Sequence, residues 1–129
     1  VVFPMHPRTR RRMQEFGFKV RNILMIEPVD YLKMMGLVKL CRLVITDSGG
    51  LQKEAYFAGK RSVVVMPDTG WRELVQIGWN KLSRPDNIAG IAQKILDGEK
   101  AAVPQNIYGD GQSSKKIAEI LLTTGRVQS

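Results

Sequence analysis

Short, continuous apolar runs alternate with helix-forming segments along this 129-residue chain, and that alternation limits the possible folds. The runs cover residues 1–3, 23–26 and 43–45, and the clearest one follows Ser62 up to Met66; residues 80–82 are predicted only as a weak strand. Unbroken apolar runs indicate strands buried on both faces, whereas strands with one wet face alternate polar and apolar residues. The chain is therefore predicted to be an α/β protein, with a Rossmann-like parallel sheet covered on both faces by helices.

Helices are predicted between these strands from apolar residues at helical spacing and from capping residues. The predicted helices cover 10–16 with Thr9 as cap, 31–38 with Asp30 as cap, 51–57, 71–77, 87–96 and 113–122. Residues 98–112 are a Gly- and Pro-containing connection. We treat 1–129 as one domain in which 113–122 is the terminal helix.

The composition argues against nucleic-acid binding and against a membrane partner. The formal charge is +8, from 20 Lys and Arg against 12 Asp and Glu, and the densest basic run is at 8–12. Aromatic residues are only 7% of the chain and do not alternate with the basic ones, so no base-stacking surface for nucleic acid is predicted. No apolar stretch approaches the roughly 18 residues of a membrane span, so no membrane partner is expected.

The single cysteine and the dispersed aspartates argue against disulfides and metal sites. Cys41 is the single cysteine, which excludes an internal disulfide or a cysteine zinc cage and fits a reducing cytoplasm. Asp47, Asp68 and Asp110 are dispersed without ligand spacing, so no metal site is predicted. No cofactor is expected. The chain begins with Val1 inside an apparent strand, and we expect it to be part of a longer protein.

The segment Thr46-Asp47-Ser48-Gly49-Gly50 joins a buried strand to a helix, at the sheet edge where α/β proteins bind ligands. The two glycines are expected to allow positive φ and close approach of a ligand. Helix amides and the Ser48 hydroxyl could then hold a phosphate. Glu54, one turn further on, is either a surface glutamate or a carboxylate that holds sugar hydroxyls.

His6 is the only histidine, and it lies between Pro4 and Pro7 in a loop that follows a strand. It is either structural or, together with Arg8, directed at a phosphorylated ligand. No second histidine is present to complete a catalytic triad.

Several loops, in order and spacing, resemble the non-hydrolysing UDP-N-acetylglucosamine 2-epimerases. They are Phe3-Pro4-Met5-His6-Pro7-Arg8-Thr9, Glu27-Pro28-Val29-Asp30-Tyr31, Thr46-Asp47-Ser48-Gly49-Gly50-Leu51-Gln52-Lys53-Glu54-Ala55, Asp68-Thr69-Gly70-Trp71-Arg72-Glu73-Leu74-Val75, Gly78-Trp79-Asn80-Lys81-Leu82 and Tyr108-Gly109-Asp110-Gly111. The resemblance implies the C-terminal, UDP-binding half of a GT-B fold. It also implies a cytoplasmic isomerase of cell-envelope polysaccharide biosynthesis that interconverts UDP-GlcNAc and UDP-ManNAc by eliminating and re-adding UDP.

Residue roles follow from the resemblance by motif position. His6 matches the active-site histidine, with Arg8 beside it as a substrate contact. Val29 matches the loop that contacts uracil, and Met34 matches an apolar residue that packs on uracil. Three further residues match the diphosphate loop: Ser48, Gly49 and Gly50. Glu54 matches the glutamate that holds the ribose.

The resemblance also implies what lies outside this sequence. The family's proton-transferring carboxylates belong to an N-terminal domain, and the first strand of the C-terminal domain precedes Val1. We therefore expect an exposed apolar edge at residues 1–3 and no turnover by this chain alone. The resemblance also implies a homodimer at full length. Where many members carry an arginine and a glutamate, this chain has Met66 and Gly70, so no sugar or phosphate contact is assigned there.

Two other functions share these features. One is the nucleotide-binding half of a GT-B glycosyltransferase, which uses the same fold and the same helix-end phosphate site. The other is a non-catalytic nucleotide-binding module.

Overall fold

The computed structural model describes residues 1–101 and 107–124. The strands in this part of the chain are β1 (Val2–Pro4), β2 (Leu24–Ile26), β3 (Val44–Thr46), β4 (Ser62–Val64) and β5 (Asn80–Leu82). The helices are α1 (Pro7–Glu15), α2 (Tyr31–Leu40), α3 (Gly49–Phe57), α4 (Arg72–Gln76), α5 (Ile88–Leu96) and α6 (Ser113–Thr124), with a 3-10 turn at Pro85–Asn87. The predicted alternation of strands and helices is confirmed.

All strand pairing is parallel, as predicted, but the strands form two separate sheets. β1 pairs with β2, and β3, β4 and β5 form a second sheet in that order. Rossmann topology places the first strand of a domain between its second and fourth strands, which correspond here to β1 and β3. Both strands have one edge without a partner among the described residues. The expected exposure of residues 1–3 is also confirmed, since Val1 is 76% and Val2 48% exposed.

The core lies on the three-stranded sheet. β4 is central there and all three of its residues, Ser62, Val63 and Val64, are fully buried, as expected for a strand covered on both faces. A cluster of Val38, Val44 and Ala55 joins α2, β3 and α3. Because α2 follows β2 and packs on β3, it links the two sheets.

Some predicted boundaries were wrong for local reasons. The fourth strand ends at Val64 and not at Met66, because the Met66 N–H turns back to the Val64 carbonyl at 2.9 Å. The predicted first helix at 10–16 begins instead at Pro7, and Thr9 does not cap it. The connection predicted at 98–112 lies partly outside the described residues. The helix predicted at 113–122 forms and extends to Thr124.

Helix α6 presents an apolar surface that the described residues do not cover. Ile117, Leu121 and Leu122 are 57%, 66% and 70% exposed. No helix in the described ranges is long and apolar enough to cross a membrane.

Candidate functional site

The N-terminus of α3 is built by the turn that follows β3. Ser48 is the N-cap, with extended φ and ψ of −90° and 124°, and its hydroxyl accepts from the Leu51 N–H at 3.4 Å. The Thr46 hydroxyl accepts from the Ser48 N–H at 3.0 Å and fixes the turn from the strand side. The Gln52 N–H bonds to the Ser48 carbonyl at 3.2 Å. Serine at this position therefore starts the helix, as N-cap serines commonly do.

Gly49 and Gly50 are the first two residues of α3, so the helix begins two residues earlier than predicted. The expectation of positive φ was wrong, because both glycines are helical and are absent from the positive-φ residues of the described chain. A Cβ at Gly49 would lie 3.8 Å from the nearest atom, and one at Gly50 would lie 3.9 Å away, which is ordinary contact. Neither backbone conformation nor packing within the described chain requires glycine here.

The amide groups of both glycines are available to a ligand. In the described part of the chain neither N–H donates a hydrogen bond, as is usual for the first residues of a helix. Both glycines and Ser48 are exposed. Free N–H groups at the positive end of a helix dipole attract anions, and the missing Cβ atoms leave the approach open.

Glu54 is half-buried and lies in the second turn of the same helix. No hydrogen bond or ion pair to its carboxylate is found within the described residues. Its carboxylate is therefore without a partner among the described residues, one turn beyond the two glycines that begin α3.

The loop after β4 is fastened to α3 by a buried polar contact. Gln52 is fully buried, and its Oε1 accepts from the Thr69 hydroxyl at 2.8 Å. The Thr69 hydroxyl oxygen in turn accepts from the Trp71 N–H at 3.3 Å. The Trp71 indole N–H then donates to the Gly49 carbonyl at 2.7 Å. These contacts connect the loop after β4 with the first turn of α3.

Lys53 lies between two aromatic rings. Its Nζ is 4.2 Å from the ring centre of Trp71 and 4.1 Å from that of Tyr108, within the range of cation–π attraction. The two rings meet edge to face at 5.9 Å and 83°. Burial and the nearby Glu73 carboxylate raise the pKa of Tyr108, and the Tyr108 hydroxyl lowers the pKa of Glu73. This aromatic group was not identified from the sequence as part of the site.

Within the loop after β4, Asp68 is held by local partners. The Arg72 guanidinium donates to its carboxylate at 2.7 Å, and the Thr69 N–H donates to it at 2.8 Å. The hydrogen bond from Arg72 is the main reason that the pKa of Asp68 lies below its ordinary value.

His6 and Arg8 follow β1, as predicted, and His6 also has a structural role at the start of α1. It is the N-cap of α1, and its Nδ1 accepts from the Arg8 N–H at 3.2 Å. A neutral imidazole that accepts at Nδ1 carries its proton on Nε2. Both side chains are exposed, and no hydrogen bond joins either to α3 within the described residues.

Val29 lies in the loop after β2 and Met34 in the first turn of α2, and both are half-buried. Asp30 caps α2 as predicted, accepting from the Lys33 N–H at 2.9 Å. The structure thus brings Ser48, both glycines and Glu54 together on α3. The residues after β1 and β2 lie on the same carboxyl side of their own, separate sheet.

Parallel strands, crossover helices and an open helix N-terminus after a strand define a Rossmann-like α/β domain of the GT-B type. The profile of the family described as UDP-N-acetylglucosamine 2-epimerase matches residues 1–122. The chain belongs to that family.

Two curated relatives show the extent of the match. A UDP-2,3-diacetamido-2,3-dideoxy-D-glucuronate 2-epimerase from Pseudomonas aeruginosa is 44% identical over 123 residues, covering 94% of this chain and 34% of the relative. A UDP-N-acetylglucosamine 2-epimerase from Methanococcus maripaludis is 40% identical over 128 residues, again covering 94% and 34%. The chain therefore spans about a third of the length of these relatives.

Solved structures agree with this assignment. UDP-GlcNAc 2-epimerase from Methanocaldococcus jannaschii matches with a TM-score of 0.79 at 32% identity, covering 95% of this chain and 35% of that one. The Neisseria meningitidis UDP-GlcNAc 2-epimerase bound to UDP-GlcNAc matches with a TM-score of 0.74 at 35% identity, covering 95% and 36%.

Proposed function

We propose that this chain is the UDP-binding part of a UDP-N-acetylglucosamine 2-epimerase. The observation that carries the proposal is the pair of exposed, helical glycines with free amides, at a position where nothing within the described chain requires glycine. Glycine is permitted here but not required by the described chain, and close approach of a diphosphate to the backbone explains its presence at both positions.

Each part of the nucleotide has a proposed contact. The Ser48 hydroxyl and the amides of Gly49 and Gly50 hold the diphosphate, because free N–H groups at a helix N-terminus bind anions. Glu54, whose carboxylate has no partner among the residues that the structure describes, accepts hydrogen bonds from the ribose hydroxyls. Val29 and Met34 contact the uracil.

The reaction proposed for the whole protein interconverts UDP-GlcNAc and UDP-ManNAc. UDP leaves from C1 as the C2 proton is removed, giving 2-acetamidoglucal. UDP then returns to C1 and a proton returns to C2 on the opposite face, so the atoms balance. His6, with Arg8 beside it, acts in the active site, while an N-terminal domain supplies the proton-transferring carboxylates. The full-length protein is proposed to be a cytoplasmic homodimer in cell-envelope polysaccharide biosynthesis.

A second substrate is favoured by one comparison. The Pseudomonas aeruginosa relative is 44% identical and is named for a diacetamido-glucuronate substrate, against 40% for the Methanococcus maripaludis UDP-GlcNAc 2-epimerase. Both substrates carry UDP, so both fit the nucleotide contacts proposed here. The sugar is therefore the part of the ligand on which the two candidates differ.

An amide-resolved NMR titration of the chain with UDP tests the proposal. We expect signals of Val29, of 48–50 and of Glu54 to shift, and we expect uridine to leave 48–50 largely unchanged. Glu54→Gln should weaken UDP binding about tenfold through loss of charge-assisted hydrogen bonds. Glu119→Gln, on exposed α6, is the matched control and should have no effect. A well-dispersed spectrum that does not respond to UDP contradicts the proposal.

Turnover provides a separate test. The chain alone should produce no UDP-ManNAc from UDP-GlcNAc, because the proposed proton-transferring groups lie in the other domain. Detection of UDP-ManNAc above a protein-free control would contradict that division of roles.

A further inference from the structure

Trp71 makes a specific contact with the first turn of α3. Its indole N–H donates to the carbonyl of Gly49, the first residue of the helix, at 2.7 Å. The two residues are 22 positions apart, and Trp71 comes from the loop after β4. The hydrogen bond therefore fixes the start of α3 relative to a neighbouring strand of the sheet.

Trp71 is itself held from several sides. Its backbone N–H donates to the Thr69 hydroxyl, which is anchored to buried Gln52. Lys53 lies over its ring, and Tyr108 meets it edge to face. A large aromatic ring fixed in this way has little freedom, so its N–H defines the position of the Gly49 carbonyl closely.

We propose that Trp71 is a positioning residue for phosphate binding, acting through Gly49 on the free amides of α3. The inference rests on the proposed function, since it assumes that the nucleotide phosphates bind at this turn. Hydrogen bonds to an anion depend strongly on donor distance and angle. Movement of the first turn would therefore weaken phosphate binding without altering contacts to uracil or ribose.

The chain contains a matched control for the chemistry of the contact. The Trp79 indole N–H also donates to a backbone carbonyl, that of Lys60 at 2.9 Å, just beyond the C-terminal end of α3. Trp79 also packs edge to face on an aromatic ring, that of Tyr56 at 6.3 Å. Trp71→Phe and Trp79→Phe thus each delete one indole hydrogen bond, at opposite ends of the same helix.

The experiment compares the two variants with the unsubstituted chain by NMR, using UDP and uridine as ligands. Trp71→Phe should lower UDP affinity about three- to tenfold, as expected for the loss of one hydrogen bond, and leave uridine affinity unchanged. The Gln52 amide, bonded to Ser48 at the same turn, should exchange with solvent faster by a similar factor. Trp79→Phe should change neither quantity.

The outcomes separate this inference from the proposed function. If the unsubstituted chain binds UDP and Trp71→Phe binds it equally well, the positioning role is overturned while the proposed function stands. Equal losses of UDP affinity in both variants, or an equal loss for uridine, also overturn the positioning role, because they indicate general destabilisation. If the unsubstituted chain does not bind UDP, the proposed function fails, and the positioning role fails with it.

Discussion

Replacing Thr69 by valine should destabilise the protein, because it breaks a buried hydrogen bond while keeping the shape of the side chain. Thr69 is 6% exposed, and its hydroxyl donates to Gln52 Oε1 at 2.8 Å. Gln52 is fully buried, so water cannot replace the lost donor. The Trp71 N–H loses its acceptor as well.

The size of the effect follows from the unpaired groups that remain. A buried acceptor without a partner costs about 1–3 kcal/mol, so we expect the free energy of unfolding to fall by about 2 kcal/mol. For a domain of this size that corresponds to a melting temperature lower by roughly 8 °C. Urea denaturation followed by circular dichroism measures the change, with an unchanged m value indicating an unchanged unfolding transition. Thr123→Val on exposed α6 is the matched control and should stay within about 0.5 kcal/mol.

A double substitution tests the physical reason. Gln52→Leu combined with Thr69→Val leaves neither polar group of the pair buried, so the combined loss should be smaller than the sum of the single losses. Strict additivity would refute the reasoning. So would a loss below about 0.5 kcal/mol for Thr69→Val alone, since surface substitutions reach that size.

Three further predictions concern a cap, an ion pair and a strand edge. Asp30→Ala should lower the free energy of unfolding by about 1 kcal/mol, because the Lys33 N–H loses its acceptor, whereas Asp30→Asn should keep most of the capping contribution. Chemical denaturation measures both variants, and equal losses would contradict the capping role. The Arg72 contact lowers the pKa of Asp68 in the folded state, so the ionised carboxylate should stabilise the fold. This contribution should be complete above the ordinary pKa of 3.8 and should disappear as the pH falls through the lowered pKa. An NMR titration midpoint for Asp68 at or above 3.8 would contradict this. The edge of β1 that has no partner among the described residues should make the chain weakly stable or cause it to associate at higher concentration. Val2→Lys should reduce that association in sedimentation experiments. A sharp, concentration-independent melt of a monomer would count against this.

Much of the fold could be predicted because its signals are local. The apolar run after Ser62 identified the strand at 62–64, because a strand covered on both faces favours consecutive apolar residues. The central position of this strand in its sheet came from the structure. Asp30 was predicted as a cap because a helix start is defined within four residues of chain. The Ser-Gly-Gly turn after β3 was placed correctly as a strand-to-helix connection for the same reason.

Local patterns also account for the errors. Thr9 was predicted to cap the first helix, but that helix begins at Pro7 and His6 caps it, because proline suits the first helical position. Gly49 and Gly50 were expected at positive φ because glycine adopts positive φ readily, but glycine adopts negative φ just as readily. Once Ser48 capped α3, the most favourable conformation for both was helical.

The sequence by itself determined the strands, most helices and the family, because these depend on periodicity and on motifs within short segments. Tertiary structure alone decided that Trp71 reaches Gly49, that Lys53 lies between Trp71 and Tyr108, and that the strands divide into two sheets. The physical reason is that these contacts join residues far apart in the chain. Such pairs are selected by packing of the whole domain, which no local propensity specifies.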